Sequence, residues 1–554
     1  MININKKNFL SLSLTLPLIS ACFSGATLAQ TQILIGGALD VCTSTAPSNC
    51  VDGFVPQGKA GALYQIDAAG LTRINDTFPS QYAVFKNQVV KSLTALTGDT
   101  QYAEFALLQK WYGAYEQAQL LSPELLDFVL DSLEVAQTNT STEKSEEQVY
   151  LRQSRSSASA ELVSFITNAL KVAAQQRKEP AHILVITASN RDPYANADYY
   201  EQLLASQGVS SEWLALTPAL AQAINTRQCE ALEAIRINHG VYDRQRVYPQ
   251  RTKEEAALCK AGISALISKI KSATAVMFSG GDQRRAKRAL FDANGVAYPW
   301  TEALRQRDVI VGTSAGSALQ SGAKNNAGNV PMITAGESIT ALWQTSAQTE
   351  SNSAQKLGYE AISYDAKGGL GSVDYGVIDT HFSERNRTLR LHQVVQESGQ
   401  IAGYGIDETT ALIAIISEQS RVATVLGQSG VVKIVPIEQN AFLYSYYPAG
   451  VRLTFVDNQW QLGLETQAND VKVPEGQSLP DKRFADILYD SKLRSLTQAM
   501  CLTAMSGAKA EQYAQGKYYD FSITRLPSTR FINTDTTNNA CAIEGLKVQY
   551  EQRQ

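Results

Sequence analysis

Six short apolar runs punctuate the chain. Residues 32–39 read QILIGGAL, a strand running into a Gly-Gly turn. Residues 182–187 (HILVIT), 273–278 (ATAVMF) and 308–311 (DVIV) are further strands, the last two ending in Ser279-Gly280-Gly281-Asp282 and Gly312-Thr313-Ser314. Residues 375–378 and 411–416 complete the set. An amphipathic helix over 158–176, with Leu162, Phe165, Ile166 and Leu170 on one face, precedes the second strand. Helix followed by strand predicts an α/β fold over about 158–435. Between 40 and 158 the pattern turns helical. Helices are expected over 102–119 and 122–137, the second capped by Ser122 with Pro123 at its first position. A polar segment, 138–147, follows. This block, about 55–157, reads as a helical insertion that packs or covers. After Pro436 the texture changes again. Runs at 451–456 and 459–464 flank Asp457-Asn458, a hairpin signal, and a mostly helical tail is expected over about 482–505. Residues 437–554 therefore read as a C-terminal α+β extension.

The chain has 554 residues and a formal charge of 49 − 53 = −4. Hydrophobic residues at 44% and charged residues at 18% exclude wholesale disorder. A pI near 5.8 excludes a general nucleic-acid binder. No internal apolar run is long enough for a membrane span. Lys6 and Lys7 precede a mostly apolar stretch, 9–19, so residues 1–29 read as an export signal. Two cleavage readings compete: Leu18-Ile19-Ser20-Ala21-Cys22 resembles a lipobox, which would put a membrane-anchoring lipid on Cys22, and Thr27-Leu28-Ala29 suits an ordinary signal peptidase. Either one places the mature protein in an extracellular or periplasmic, disulfide-permissive space. Removing Cys22 from the seven cysteines leaves six, for which nearest-neighbour pairing gives Cys42–Cys50, Cys229–Cys259 and Cys501–Cys541. With four histidines and no Cys-x-x-Cys spacing, neither a zinc site nor another metal is expected.

The chemistry converges on Gly312-Thr313-Ser314-Ala315-Gly316. A strand before and a helix after make it a nucleophile elbow, with glycines where the tight turn leaves no room for side chains. The Ala315 amide at the helix start is a natural oxyanion donor, and the turn at Gly281 can supply a second. Among the histidines, His182 opens a buried strand, His239 lies in a loop and His392 on a helix. His381 stands just past a strand end and is the best base on position. Glu408 and Asp379 both stand as candidates for the acid that orients it. Arg385, Arg387 and Arg390, just beyond His381, suit carboxylate recognition.

Taken in order, GGAL at 36–39, ILVITAS at 183–189, FSGGDQ at 278–283, VGTSAGSAL at 311–319, IDTHFSERNRTLRL at 378–391 and GYGIDETTAL at 403–412 resemble the cyanophycinase branch of the serine peptidase family that includes dipeptidase E. The resemblance covers about half the chain. It implies a class I glutamine amidotransferase-like fold, with a largely parallel central sheet and helices on both faces, frequent dimers, no cofactor, and hydrolysis of cyanophycin, a polyaspartate carrying arginine on its side chains, to β-aspartyl-arginine. It carries Ser314 over as nucleophile, His381 as base and Glu408 as acid. Gln283, Asp379, Thr380, Arg385, Arg387 and Arg390 fall at substrate-binding positions. Thr380 departs from the pattern, because cyanophycinases usually carry Gln there. The insertion and the extension depart from it as well.

Three other readings are weighed. A secreted dipeptidase acting on short acidic or isoaspartyl peptides would share the site. An esterase of the α/β-hydrolase kind would share G-x-S-x-G, but there the acid usually precedes His. A polymer-binding lipoprotein without catalysis would not need Ser, His and Glu together.

Overall fold

The computed structural model describes residues 29–136, 146–349, 360–463, 469–473, 482–534 and 540–554. Residues 1–28 of the expected export signal and most of the polar segment 138–147 lie outside the described residues. The protein is a mixed α/β molecule built on two large sheets. In the first, strands Gln30–Ile35, Val309–Thr313, Ala275–Phe278, His182–Ile186 and Ser210–Trp213 run parallel in that spatial order. The other side of Gln30–Ile35 pairs antiparallel with Thr410–Ile416, followed by Arg421–Gly427, Arg452–Val456 and Gln459–Leu462. The central parallel strands are buried along nearly their whole length. Helices cover both faces, as an apolar parallel sheet demands. Ser157–Arg177 packs Leu162, Ile166 and Leu170 on one face. Pro218–Thr226 and Pro249–Ser272 pack on the other.

The strand that delivers His381 corrects one expectation. Val377–Thr380 belongs to the second sheet, not to the parallel sheet that carries Ser314. It pairs in parallel with Gly403–Ile406, which pairs antiparallel with Gly430–Glu438. A short strand buried throughout looks the same in either sheet, so local composition could not assign it. The antiparallel half of the first sheet packs face to face on the second, with Leu34, Leu412, Val425 and Trp460 against Ile378, Tyr404 and Val431.

The second sheet continues past position 436. Strand Gly430–Glu438 spans that position and forms a hairpin with Ala441–Pro448. Cys541–Gln552, Lys517–Thr524 and Gly507–Ala514 follow. Of the tail expected to be mostly helical over about 482–505, Lys492–Leu502 is helix, while the residues before it form a two-residue strand, Arg483–Phe484, and turns. The hairpin at Asp457-Asn458 forms with both residues at positive φ. That is the twist-matched turn the pair favours.

The insertion folds around its own core of Ile74, Leu93, Trp111, Leu125 and Phe128. Its helix Pro123–Leu133 is capped by Ser122, whose side chain accepts from the Leu125 N–H. A buried guanidinium docks the insertion: Arg244, fully buried, lies within 2.5–3.1 Å of Asp131, Glu134 and Asp192. The disulfides are Cys42–Cys50, Cys229–Cys259 and Cys501–Cys541. Among the described residues no helix is long and apolar enough to cross a membrane.

Candidate active site

The elbow at Ser314 is strained. Its φ of 51° and ψ of −116° are costly for a residue with a Cβ. The flanking glycines are required by close backbone approach. A Cβ on Gly312 would lie 2.3 Å from the Gly316 carbonyl, and one on Gly316 would lie 2.2 Å from the Phe278 carbonyl. The turn thus lifts the Ser314 hydroxyl above the carboxyl end of Val309–Thr313.

Two partners complete a relay. Ser314 Oγ is 2.8 Å from His381 Nε2, and His381 Nδ1 is 2.6 Å from Glu408 Oε1. The parallel pairing of Val377–Thr380 with Gly403–Ile406 explains the second contact. Thr380 sits opposite Ile406, so His381 and the Asp407-Glu408 turn emerge side by side. The other histidines are elsewhere: His182 faces Glu212, His239 bonds Gln222, and His392 packs on Phe442. Of the two acid candidates, Glu408 touches the imidazole. Asp379 is committed to Arg390, to the Thr380 N–H and, at 3.5 Å, to Arg387.

A feature that sequence reasoning missed holds the relay together. Three successive carbonyls at the end of Gln30–Ile35 receive the loops that carry it. Ile35 O accepts from Ser314 N (2.9 Å), Gly36 O from His381 N (2.8 Å) and Gly37 O from Thr409 N (2.9 Å). A Cβ on Gly36 would stand 2.0 Å from Asp407 O, and one on Gly37 would stand 2.3 Å from the His381 ring. The Gly-Gly turn at 36–37 was visible in the sequence. Its partners, hundreds of residues away, were not.

Burial lowers the His381 pKa below the ordinary imidazole value, and Arg385 and Arg387 push the same way against the hydrogen bond to Glu408. The imidazole is therefore neutral at neutral pH and able to accept a proton from Ser314. A Cβ on Gly281, at φ 132°, would stand 2.3 Å from the Ser189 carbonyl, and one on Gly280 would stand 3.4 Å from Ser314 Cβ. Gly281 and Ala315 both line the cleft above Ser314. Neither N–H is taken by an acceptor among the described residues, so both stay available to an oxyanion.

The cleft encloses about 670 Å³ and gathers every sequence-predicted binding residue: Gln283, Asp379, Thr380, Arg385, Arg387 and Arg390. Their situations differ. Gln283 donates to the Ile333 carbonyl. Arg390 is buried and held by Asp379 and the Gly336 carbonyl. Thr380 is buried, its carbonyl accepting from Arg387. Arg387 has its pKa pushed down to about 9, first by burial and then by Arg390 and Arg385, with Asp379 compensating only in part. Such a cation is electrostatically unsatisfied, and an incoming carboxylate would relieve it. Arg385 is exposed; its backbone N–H donates to the His381 carbonyl at 3.1 Å, while its side chain makes no hydrogen bond or ion pair among the described residues. The same cleft carries carboxylates on Asp282, Glu337, Glu384 and Asp490, the last of them from the C-terminal extension. Asp282 and Glu384 fall within the motif segments 278–283 and 378–391, whereas Glu337 and Asp490 lie outside every motif.

Residues 254–422, which include Ser314, His381 and Glu408, match the model of peptidase family S51. The chain is similar to the cyanophycinases of Synechococcus elongatus and of Thermosynechococcus vestitus, in each case 25% identical over 188 residues. That is 33% of this chain and 48% of each relative, so the chain spans about half the length of the curated relatives it matches. Among solved structures it is similar to a peptidase from an acI-B1 Actinobacterium, with 15% identity, a TM-score of 0.32, and coverage of 53% of this chain and 91% of that one. The family match and the two relatives support the cyanophycinase-like resemblance and the serine-type peptidase it implies.

Proposed function

We propose that the chain is an exported serine-type exopeptidase that hydrolyses cyanophycin to β-aspartyl-arginine dipeptides through an acyl-enzyme on Ser314. The observation that carries this reading is the relay Ser314–His381–Glu408 on a strained elbow, with contacts of 2.8 and 2.6 Å. His381 Nε2 takes the Ser314 proton as Oγ attacks a backbone carbonyl carbon of the polymer. The N–H groups of Ala315 and Gly281 hold the resulting oxyanion. As the C–N bond breaks, His381 gives its proton to the leaving amine. Water, deprotonated by His381, then attacks the acyl-enzyme and releases the carboxylate product, and the proton returns to Ser314. Glu408 orients the ring and stabilises the imidazolium.

The two signs of charge in the cleft support a zwitterionic substrate. Arg385 and Arg387 suit its free carboxylates, while Glu337 and Asp490 suit its guanidinium groups. Asp379 and Arg390 act as scaffold, given how fully they occupy one another. Three disulfides and the leader-like residues 1–29 support export, with Cys22 as the site of a lipid if the lipobox is used. The same reading places the nucleophile-bearing half of the molecule in the class I glutamine amidotransferase-like group.

Thr380, where cyanophycinases usually carry Gln, favours a second reading: a peptidase of short acidic or isoaspartyl peptides. One experiment separates the two. Cyanophycin and small aspartyl peptides are incubated with the protein, and products are read by mass spectrometry. Dipeptide release from the polymer, abolished in Ser314→Ala, is expected. Indifference to the polymer with turnover of the small peptides would favour the second reading. Wild-type release by Ser314→Ala would refute both.

A further inference from the structure

The C-terminal extension reaches the relay through one side chain. Arg494, on helix Lys492–Leu502, places Nη1 2.7 Å from Glu384 Oε1 and 2.7 Å from Asp407 Oδ2. The second oxygen of each carboxylate is already engaged, and each holds a different part of the machinery. Glu384 Oε2 accepts from the backbone N–H of Glu408 at 3.0 Å. Asp407 Oδ1 accepts from the backbone N–H of Ser383, two residues beyond His381, at 3.0 Å. Each loop thus lends a carboxylate to the backbone of the other, and a single guanidinium closes the pair. Asp407 is fully buried, so its charge depends on that closure.

The helix that delivers Arg494 is itself fixed. Cys501 at its end is bonded to Cys541 at the start of strand Cys541–Gln552. Just before the helix, the Ile487 carbonyl accepts from Asn386 Nδ2 at 2.8 Å, and Leu488 N donates to Gln512 Oε1 at 3.0 Å. Ser491 Oγ accepts from Arg494 Nη2 at 3.0 Å, which aims the side chain. The segment 487–494 therefore clamps the loop 381–387 from outside the α/β core.

We propose that Arg494 is a positioning residue for hydrolysis: acting through Glu384 and Asp407, it holds the loops of His381 and Glu408 at the spacing the relay needs. This makes the extension part of the catalytic apparatus. The inference rests on the peptidase reading above, because it presupposes that the relay is the reacting centre. Arg494 does not touch the reacting atoms, so its loss should lower turnover more than substrate affinity.

The test compares the full chain with Arg494→Met, Glu384→Ala and the double variant. It reads the rate at which a small fluorophosphonate modifies Ser314, kcat and KM on cyanophycin, and the melting temperature. Arg494→Met should slow modification and lower kcat tenfold or more, with KM within threefold of wild type. Glu384→Ala, altering a partly exposed side chain that leaves the core intact, should slow modification fivefold or more. Because one residue acts through the other, the double variant should be no slower than the slower single. Modification of Arg494→Met within twofold of wild type would overturn the proposal. So would a double variant whose loss equals the product of the singles. If Arg494→Met does not fold, an unchanged Glu384→Ala overturns it and a slowed one upholds it. A wild type that the reagent does not modify would sink the peptidase reading and this inference together, a result distinct from any difference among the variants.

Discussion

Burial sets the acid–base state of His381. It disfavours the imidazolium, Arg385 and Arg387 disfavour it further, and only Glu408 works the other way. The folded pKa therefore lies below the ordinary value, and the ring is in its proton-accepting form across neutral pH. We expect kcat/KM to be flat near neutrality and to fall only as pH drops below about 6.5. Arg385→Gln removes a cation, which favours the protonated ring, so the acid limb should move to higher pH. Because Arg385 is exposed, salt screens it, and the shift should shrink at high ionic strength. A pH–rate profile at two salt concentrations checks both. Ser314 was legible at this scale, because a G-x-S-x-G elbow leaves its mark within five positions. The choice of Glu408 over Asp379 was not legible from spacing alone. Asp379 lies in strand Val377–Thr380 and Glu408 just past Gly403–Ile406, and only the packing shows that Arg390 and Arg387 already use Asp379.

Elements whose cause is local were readable. Helix Pro123–Leu133 starts where Ser122 and Pro123 place it, and the Asp457-Asn458 turn forms between its two strands. Lys517–Thr524, with Tyr519, Phe521 and Ile523 buried in alternation, carries the same kind of local mark, although no strand is named there from the sequence. Elements whose role comes from distant partners were silent. The end of strand Gln30–Ile35 is the clearest case: its carbonyls and those of the following glycines organise three loops whose sequences lie about 280 to 370 positions away. The two glycines fail differently when substituted. Gly36→Ala puts a Cβ 2.0 Å from the Asp407 carbonyl, backbone against backbone, and should cost about 1–3 kcal/mol of stability along with activity. Gly37→Ala, at φ 110°, drives its Cβ into the His381 ring. We expect it to cut kcat at least tenfold, the imidazole being displaced from Ser314. Denaturant unfolding and steady-state kinetics on the pair would show whether the losses divide in this way.

At the scale of the whole molecule, the proposed catalytic centre lies at the seam of the two sheets. The first supplies Ser314 and the strand end that anchors the loops; the second supplies His381 and Glu408. Local sequence pattern could not report this seam, because it exists only through the face-to-face packing of Leu412 and Val425 on Tyr404 and Val431. The C-terminal extension then becomes structural to the site in two ways. Its strand Ala441–Pro448 covers the edge of Gly430–Glu438, the neighbour of the strand that leads to Glu408. Its helix carries Arg494 to Glu384 and Asp407. A chain ended after residue 436 would expose that apolar edge, which invites aggregation. It would also leave the buried Asp407 without its cation, a change of the kind that costs about 3–5 kcal/mol. Such a truncation should be insoluble or lack cooperative unfolding, and Ser314 should resist modification by fluorophosphonate even though all three relay residues are present. Circular dichroism during heating, alongside labelling of the full chain, measures this. A soluble, cooperatively folded 30–436 fragment that is modified at the full-chain rate would show instead that the seam closes without the extension.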